Sequence, residues 1–194
     1  MVLESAVHLC VDMQRMFLEG TDWHLPSMEQ TLPAIEALVE ANPARTIFTR
    51  FIPPPPGAMQ GTWVDYYAAW PRMRGDIIAP ELIALAPSLQ RYTPPARVFD
   101  KAVFSPWWSG ELHRTLQHEG VQTIIVSGGE TDMCVLATIM GAIDLGYRIW
   151  LPSDAVCSSA DDCHRAMMSV FDSRFGVQIT TCTTEDILSM RLSA

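Results

Sequence analysis

Residues 123–138 read TIIVSGGETDMCVLAT. A short run of β-branched residues, a glycine pair and a second apolar stretch predict a buried strand, a tight turn and a helix. The turn brings Cys134 to the start of that helix, where unpaired backbone N–H groups and the helix dipole favour a thiolate. The segment therefore predicts an α/β unit that carries a candidate nucleophile.

Five more short apolar runs alternate with helical patterns along the chain. They are AVHLCV at 6–11, TIFT at 46–49, RVF at 97–99, RIWL at 148–151 and VQITT at 177–181. Six such runs separated by helices predict a six-stranded, mostly parallel sheet with helices on both faces, a Rossmann-like three-layer sandwich. With 194 residues, 48% of them hydrophobic, we expect one domain over 1–194.

Composition excludes several classes of protein. A net charge of −9 argues against nucleic acid and against an anionic membrane surface, because both require clustered basic residues. We see no signal peptide and no apolar stretch of membrane-spanning length, and we expect a cytoplasmic protein. The cysteines are odd in number and form no CxxC pair, which fits reduced thiols; they are Cys10, Cys134, Cys157, Cys163 and Cys182.

Three residues with chemical potential lie at the predicted strand ends. Asp12 closes the first run, Lys101 follows the third and Cys134 follows the fourth. Ligands of parallel α/β sheets bind beyond the carboxyl ends of the strands. A carboxylate as base, a thiol as nucleophile and an ammonium as a balancing charge would form a reactive set there. Lys101 is also the single lysine among 13 basic residues, as expected where a compact point charge is hard to replace.

Four motifs follow one another in a specific order. They are VDMQ at 11–14, DK at 100–101, GGETDMCVLAT at 128–138 and DLGYRIWLPSDAVCSS at 144–159. In this order the chain resembles, over nearly its whole length, the isochorismatase-like cysteine hydrolases, the superfamily of nicotinamidase and N-carbamoylsarcosine amidase.

The resemblance implies a set of catalytic roles. Asp12, Lys101 and Cys134 match the family's triad, and a cis peptide bond is implied between Gly129 and Glu130. The backbone N–H groups of Glu130 and Cys134 would then form an oxyanion hole. The implied activity is hydrolysis of a C–N bond, other than a peptide bond, in a small amide, ureide or lactam through a thioester.

The chain departs from the nicotinamidase pattern at the metal site. Those relatives carry Asp-x-His after the second strand, where this chain has FTRF at 48–51. A further histidine downstream is also missing, because no histidine lies between 51 and 75. We therefore expect no metal and no other cofactor. The histidines are expected on the surface or satisfied in the core; they are His8, His24, His113, His118 and His164.

The sequence also offers six candidate residues for the substrate pocket. They are Gln14, Phe17, Arg50, Trp63, Trp107 and Trp108. Gln14 is expected to orient the loop after the first strand, and the aromatic residues to form a pocket or an interface. Glu130 replaces the small apolar residue of many relatives, and two roles are open: a pair with Arg50 or recognition of a cationic substrate group.

Residues 51–75 contain four consecutive prolines followed by spaced aromatic residues. They are predicted to form either a rigid loop with a short helix docked on the core, or a lid, a pocket wall or an oligomer contact.

We expect a small-molecule substrate and a homodimer or homotetramer.

Two other classes of function compete with the hydrolase. The first is a small-ligand binding protein in which SGGETD at 127–132 cradles a phosphate, although the glycine pattern of known phosphate loops is missing. The second is a non-catalytic or redox-sensing thiol protein, which would need a second cysteine within reach of Cys134.

Overall fold

A computed structural model describes residues 6–192 of the chain. Its strands are β1 (Ala6–Val11), β2 (Thr46–Phe51), β3 (Arg97–Lys101), β4 (Thr123–Gly129), β5 (Arg148–Pro152), β6 (Val156–Cys157) and β7 (Ile179–Cys182). They form one sheet in the order β3-β2-β1-β4-β5-β7, with β6 pairing beside β4, and every strand pair in it is parallel. The predicted α/β class is confirmed. The count of six is corrected to seven, because β6 is only two residues long and too short for any periodicity.

Helices cover both faces of the sheet. They are α1 (Arg15–Leu18), α2 (Met28–Ala41), α3 (Thr62–Ala69), α4 (Pro87–Gln90), α5 (Glu111–His118), α6 (Cys134–Asp144), α7 (Asp161–Arg174) and α8 (Thr184–Leu192). Short 3₁₀ helices lie at Pro43–Arg45, Pro56–Ala58, Pro71–Met73 and Pro80–Ile83. None of these helices within residues 6–192 has both the length and the apolar character needed to cross a membrane.

The core is split into two clusters by the sheet. Val7, Leu9 and Val11 of β1 belong to one cluster, whereas Ala6 and Cys10 belong to the other. Successive side chains of a strand point to opposite faces, so a fully buried strand supplies both cores. Helices α5, α6 and α7 pack on the first cluster, and α2 and α8 pack on the second. This arrangement makes the three layers.

The strand order reverses between β1 and β4. From β1 the chain continues outward through β2 and β3, and from β4 it continues in the opposite direction through β5 and β7. Such a reversal leaves a crevice at the carboxyl ends of the two central strands, where α/β proteins bind ligands. Asp12 follows β1 at this crevice and the turn that leads to Cys134 follows β4.

Candidate active site

Asp12 is held rigidly at the end of β1. Its backbone has φ of +52°, the left-handed region that aspartate tolerates better than most residues. Oδ1 accepts a hydrogen bond of 2.6 Å from the hydroxyl of Thr49, and the Asp12 N–H lies 3.2 Å from the Thr49 carbonyl oxygen. Thr49 is in the neighbouring strand β2, so the sheet itself fixes the direction of the carboxylate.

Lys101, the last residue of β3, connects the other two members of the predicted triad. Its Nζ donates to Oδ2 of Asp12 at 2.6 Å, to the carbonyl oxygen of Val103 at 3.2 Å and to Sγ of Cys134 at 3.4 Å. An ammonium has three hydrogens, so each has an acceptor. Burial alone would lower the pKa of Lys101, but Asp12 and Cys134 outweigh it and the pKa is raised. The side chain therefore carries its charge in a buried site.

Cys134 is the first residue of α6 and is buried. Burial raises the pKa of its thiol, and the positive charge of Lys101 opposes this effect only in part. The charge of Asp12 and a hydrogen bond to it raise the pKa further. The direction of this pKa shift is opposite to the one expected from the helix N-terminus alone. The thiol needs a base, and the Lys101 ammonium that contacts the thiol also contacts the Asp12 carboxylate.

The turn before Cys134 packs tightly against β1. Gly128 has φ of +105°, and a Cβ on it would lie 2.1 Å from the carbonyl oxygen of Val11. The peptide bond from Gly129 to Glu130 is cis. The Glu130 carbonyl then accepts hydrogen bonds of 3.0 Å from the N–H groups of Met133 and Val135. This folding brings residue 130 back beside the first turn of α6.

A small cavity lies in front of the Cys134 thiol. Its volume is about 40 Å³, roughly the space of three water molecules. The wall is mostly aromatic, and it consists of Phe17, Trp23, Phe51, Tyr66, Phe104, Gly129, Glu130, Met133 and Cys134. The cavity is therefore small, and its wall is mainly apolar.

Two of the predicted pocket residues lie on or directly behind this wall. Phe17 lines the cavity. Trp63 of α3 stands one layer back, with its ring centroid 4.9 Å from that of Phe104 and 5.3 Å from that of Tyr66. The interpretation of 51–75 as a pocket wall agrees with the position of Tyr66, and its interpretation as a helix docked on the core agrees with the burial of Tyr67.

Gln14 is structural rather than part of the pocket. Its Oε1 accepts a hydrogen bond of 2.7 Å from the Phe51 N–H, and its Nε2 donates to the carbonyl oxygens of Phe51 and Ile83 at 3.0 and 2.9 Å. These bonds satisfy both the oxygen and the nitrogen of the buried side-chain amide. Gln14 thus fixes the end of β2 against the loop after β1.

The predicted pair between Arg50 and Glu130 is wrong. Arg50 faces its neighbour across the β2–β3 pairing, Asp100, and donates two hydrogen bonds to it at 2.7 and 2.8 Å. Oε2 of Glu130 instead accepts from the N–H of Ser159 at 2.9 Å and from the Ser159 hydroxyl. Arg50 is therefore paired with Asp100 and does not line the cavity, whereas Glu130 does.

Trp107 and Trp108 are also outside the pocket. Trp107 is buried in the core on the α6 side, stacked on Tyr147, and its Nε1 donates to the Thr138 carbonyl at 2.8 Å. Trp108 is 83% exposed. Their position next to Lys101 in the sequence is misleading because the chain turns away from the site after Phe104.

Sequence reasoning missed most of the aromatic wall. Phe51 lies at the carboxyl end of β2 beside the candidate residues, which is a signal for a pocket position, but the proline run that follows it favours a loop. Tyr66 is one of the spaced aromatic residues of 51–75, and its spacing predicts a helix but not a pocket position. Trp23, Phe104 and Met133 lie in irregular segments, where no periodic pattern reports the direction of a side chain.

Histidines take part in local hydrogen bonds away from the thiol. His8 bonds to Ser127 at 2.7 Å, and His164 bonds to Thr131 at 2.9 Å. Within residues 6–192, no group of three or more His, Cys, Asp or Glu side chains has the arrangement of a metal site. The absence of a metal stays a prediction, tested below.

Comparison with known proteins gives a consistent result. A family model described as the isochorismatase domain matches residues 6–183. Maleamate amidohydrolase from Pseudomonas putida is 27% identical over 128 residues, which is 66% of this chain and 58% of that protein. The aligned part therefore spans less than two thirds of that relative.

Solved structures of the same fold cover almost the whole chain. A cysteine hydrolase from Pseudomonas syringae pv. phaseolicola superposes with a TM-score of 0.82 at 23% identity, covering 95% of this chain and 91% of the other. N-carbamoylsarcosine amidase from Thermoplasma acidophilum gives a TM-score of 0.75 at 20% identity, covering 93% and 96%. At these identities the likeness establishes the fold.

Proposed function

This chain belongs to the isochorismatase family, and on that premise we propose that it is a cysteine hydrolase that cleaves a C–N bond of a small amide, ureide or lactam. One observation carries the proposal: the Lys101 ammonium contacts both the Asp12 carboxylate and the Cys134 thiol in a buried site. A base and a nucleophile that are both in contact with one cation are the groups that nucleophilic acyl transfer needs.

The first step forms a tetrahedral adduct between Cys134 and the substrate carbonyl. Asp12 accepts the thiol proton while Sγ of Cys134 bonds to the carbonyl carbon, and the electron pair of the C=O π bond moves to oxygen. Because the thiol pKa is raised, a preformed thiolate is scarce, so proton transfer accompanies the attack. The fixed charge of Lys101 stabilises the negative charge that develops on sulfur.

The oxyanion needs hydrogen-bond donors. Cys134 is the first residue of α6, and the first N–H groups of a helix have no acceptor within the helix. We assign this N–H and that of Glu130 to the oxyanion hole. In other acyl-transfer enzymes, one such donor contributes on the order of 3 kcal/mol to transition-state stabilisation.

Breakdown of the adduct completes the cycle. The C–N bond breaks, Asp12 returns the proton to the leaving nitrogen, and the acyl group stays on Cys134 as a thioester. Asp12 then removes a proton from water as the water attacks the thioester. Release of the carboxylic acid restores the thiol and the carboxylate, so no oxidant or cofactor is consumed.

A substrate screen tests the proposal. Small primary amides, ureides and lactams would be incubated with the enzyme, and the released acid and amine measured by mass spectrometry. Cys134→Ala should remove all turnover while the fold is kept. Cys163→Ser is the matched control, because Cys163 is the exposed cysteine of α7 and should be dispensable.

Trapping of the intermediate adds a second test. A nitrile or aldehyde analogue of an active substrate should add one equivalent to Cys134, visible by intact mass and peptide mapping. Turnover that persists in Cys134→Ala would refute the cysteine mechanism. Reversible oxidation of Cys134 without any hydrolysis would favour the redox-sensing alternative, and nucleotide binding without hydrolysis would favour the binding-protein alternative.

A further inference from the structure

We propose that this cavity selects amides that carry a positively charged group, which the Glu130 carboxylate and the aromatic wall bind together. The inference rests on the proposed function and names its substrate class. It is drawn from the lining of the cavity and from the balance of charges around it.

The wall offers several aromatic faces in a confined space. Phe17 and Trp23 are stacked with centroids 6.2 Å apart, and Phe51 and Phe104 are stacked at 6.4 Å. The Tyr66 centroid lies 5.9 Å from that of Trp23. Each ring face carries negative electrostatic potential, and groups of aromatic rings are a common way in which proteins bind ammonium and quaternary ammonium ions.

Glu130 supplies the negative charge to this wall. It lines the cavity, and its Oε2 is fixed by the N–H and hydroxyl of Ser159. Burial raises the pKa of the Tyr66 hydroxyl to about 12, and the charge of Glu130 contributes in the same direction. The carboxylate therefore acts electrostatically on a residue of the aromatic wall.

The charge of Glu130 is not neutralised by a nearby base. Across residues 6–192, no Lys, Arg or His forms an ion pair with it, and it is the charged member of the cavity lining. The ammonium of Lys101 is committed to Asp12, which cancels its charge. With a protonated thiol, the site thus carries one excess negative charge, which favours a cationic ligand and disfavours an anionic one.

Matched substrates test the selectivity. Protonated glycinamide and propanamide differ by an ammonium in place of a methyl group, and betaine amide and 3,3-dimethylbutanamide differ by a quaternary nitrogen in place of carbon. Malonamate adds an anionic amide. In at least one size pair we expect kcat/KM for the cation to exceed that for the neutral amide by tenfold or more, with malonamate the poorest substrate.

A charge-removing variant tests the role of Glu130. Glu130→Gln keeps an oxygen that can accept the Ser159 hydrogen bonds and removes the charge. The ratio of kcat/KM for the cationic amide to that for its neutral partner should fall at least fivefold. Glu185→Gln removes one negative charge from an exposed position on α8 and should leave this ratio unchanged.

A binding measurement separates this inference from the proposed function. Tetramethylammonium would be titrated against the indole ¹H–¹⁵N resonances, with tert-butanol as the neutral comparison and Trp23→Phe to assign the Trp23 signal. The Trp23 signal should move with tetramethylammonium, and less so in Glu130→Gln. The Trp107 signal should stay fixed, because that indole is bonded to Thr138 in the other core.

The outcomes distinguish the two proposals. If no amide is hydrolysed but tetramethylammonium still moves the Trp23 signal in a Glu130-dependent way, the hydrolase proposal fails and the cation site stands. If neutral amides are hydrolysed as well as their cationic partners, the cation site is overturned and the hydrolase proposal stands. If the Trp23 signal does not respond, the cation site is overturned whether or not amides are hydrolysed.

Discussion

Nζ of Lys101 lies 2.6 Å from Oδ2 of Asp12, with the two side chains only 3% and 1% exposed. A buried ion pair of this kind is not by itself stabilising, because desolvation of both charges offsets their attraction. The same pair is useful in a site where the proton of a thiol must move to a carboxylate, since the ammonium balances the negative charge before and after the transfer.

Lys101→Arg should be nearly as damaging as Lys101→Ala. A planar guanidinium cannot direct three hydrogens from one nitrogen to Asp12, Val103 and Cys134. We expect kcat/KM to fall at least 100-fold, about 2.7 kcal/mol of transition-state stabilisation. Steady-state kinetics on a substrate found in the screen measure this. Retention of half the activity in the arginine variant would refute the catalytic role of Lys101.

Thr49→Val should lower kcat more than it changes KM. The valine keeps the shape but removes the hydroxyl that donates to Oδ1 of Asp12 at 2.6 Å. Hydrogen bonds to charged groups contribute about 1.5–3 kcal/mol, so we expect a loss of roughly tenfold to 100-fold. Thr49→Ser keeps the hydroxyl and should recover most of the activity. Equal kinetics for valine and serine variants would show that this bond does not position the base.

Alkylation of Cys134 should become faster as pH rises from 7 to 9.5, without reaching a plateau. Its thiol pKa is raised by burial, so below that pKa the thiolate fraction increases tenfold per pH unit. Iodoacetamide rates would be measured by peptide mapping in a Cys163→Ser background, which removes the exposed thiol. A rate that is already constant between pH 6 and 7 would instead indicate a preformed thiolate.

Stability should fall as pH decreases below 6.5, partly because of His8. Burial lowers the pKa of His8 to about 3, whereas its unfolded value is 6.5. Between these values the unfolded chain binds the extra proton, so the free energy of unfolding falls with pH by up to about 1.4 kcal/mol per unit from this group. Its stabilising contribution is complete above pH 6.5.

Urea unfolding at pH 7, 6, 5 and 4 checks this dependence. His8→Gln should show a shallower decrease than the unaltered protein, whereas His118→Gln, at an exposed position of α5, should match the unaltered protein. Identical pH slopes for the protein with and without His8 would contradict the assignment.

Removal of metal ions should leave hydrolysis unchanged. The reason lies in the sequence, where the histidines that bind metal in the nicotinamidase pattern are missing from 48–75. The enzyme would be dialysed against a strong chelator and its metal content measured alongside its activity. Stoichiometric zinc or iron, with activity that disappears on removal and returns on addition, would prove the metal-free mechanism wrong.

The sequence by itself determined the α/β class and the order of the chemical groups. Strand periodicity and the ends of apolar runs are local properties, so Asp12, Lys101 and Cys134 could be placed at strand ends before any contact was known. Their contact in space follows from parallel strands whose carboxyl ends share one edge. The two-residue strand β6 was not predicted, because two residues are too few to show the alternation of side chains typical of a strand.

The tertiary structure alone decided the pocket and the state of the thiol. Phe17 and Trp107 are both aromatic residues near strand ends, yet one lines the cavity and the other lies in the opposite core. Arg50 forms its ion pair with Asp100 on the neighbouring strand, so Glu130 lines the cavity without Arg50 as a partner. Burial, finally, reversed the expected shift of the Cys134 pKa. The cavity lining, the partner of Arg50 and the thiol pKa all depend on which side chains from distant segments come together and exclude water. A local sequence pattern does not contain this information.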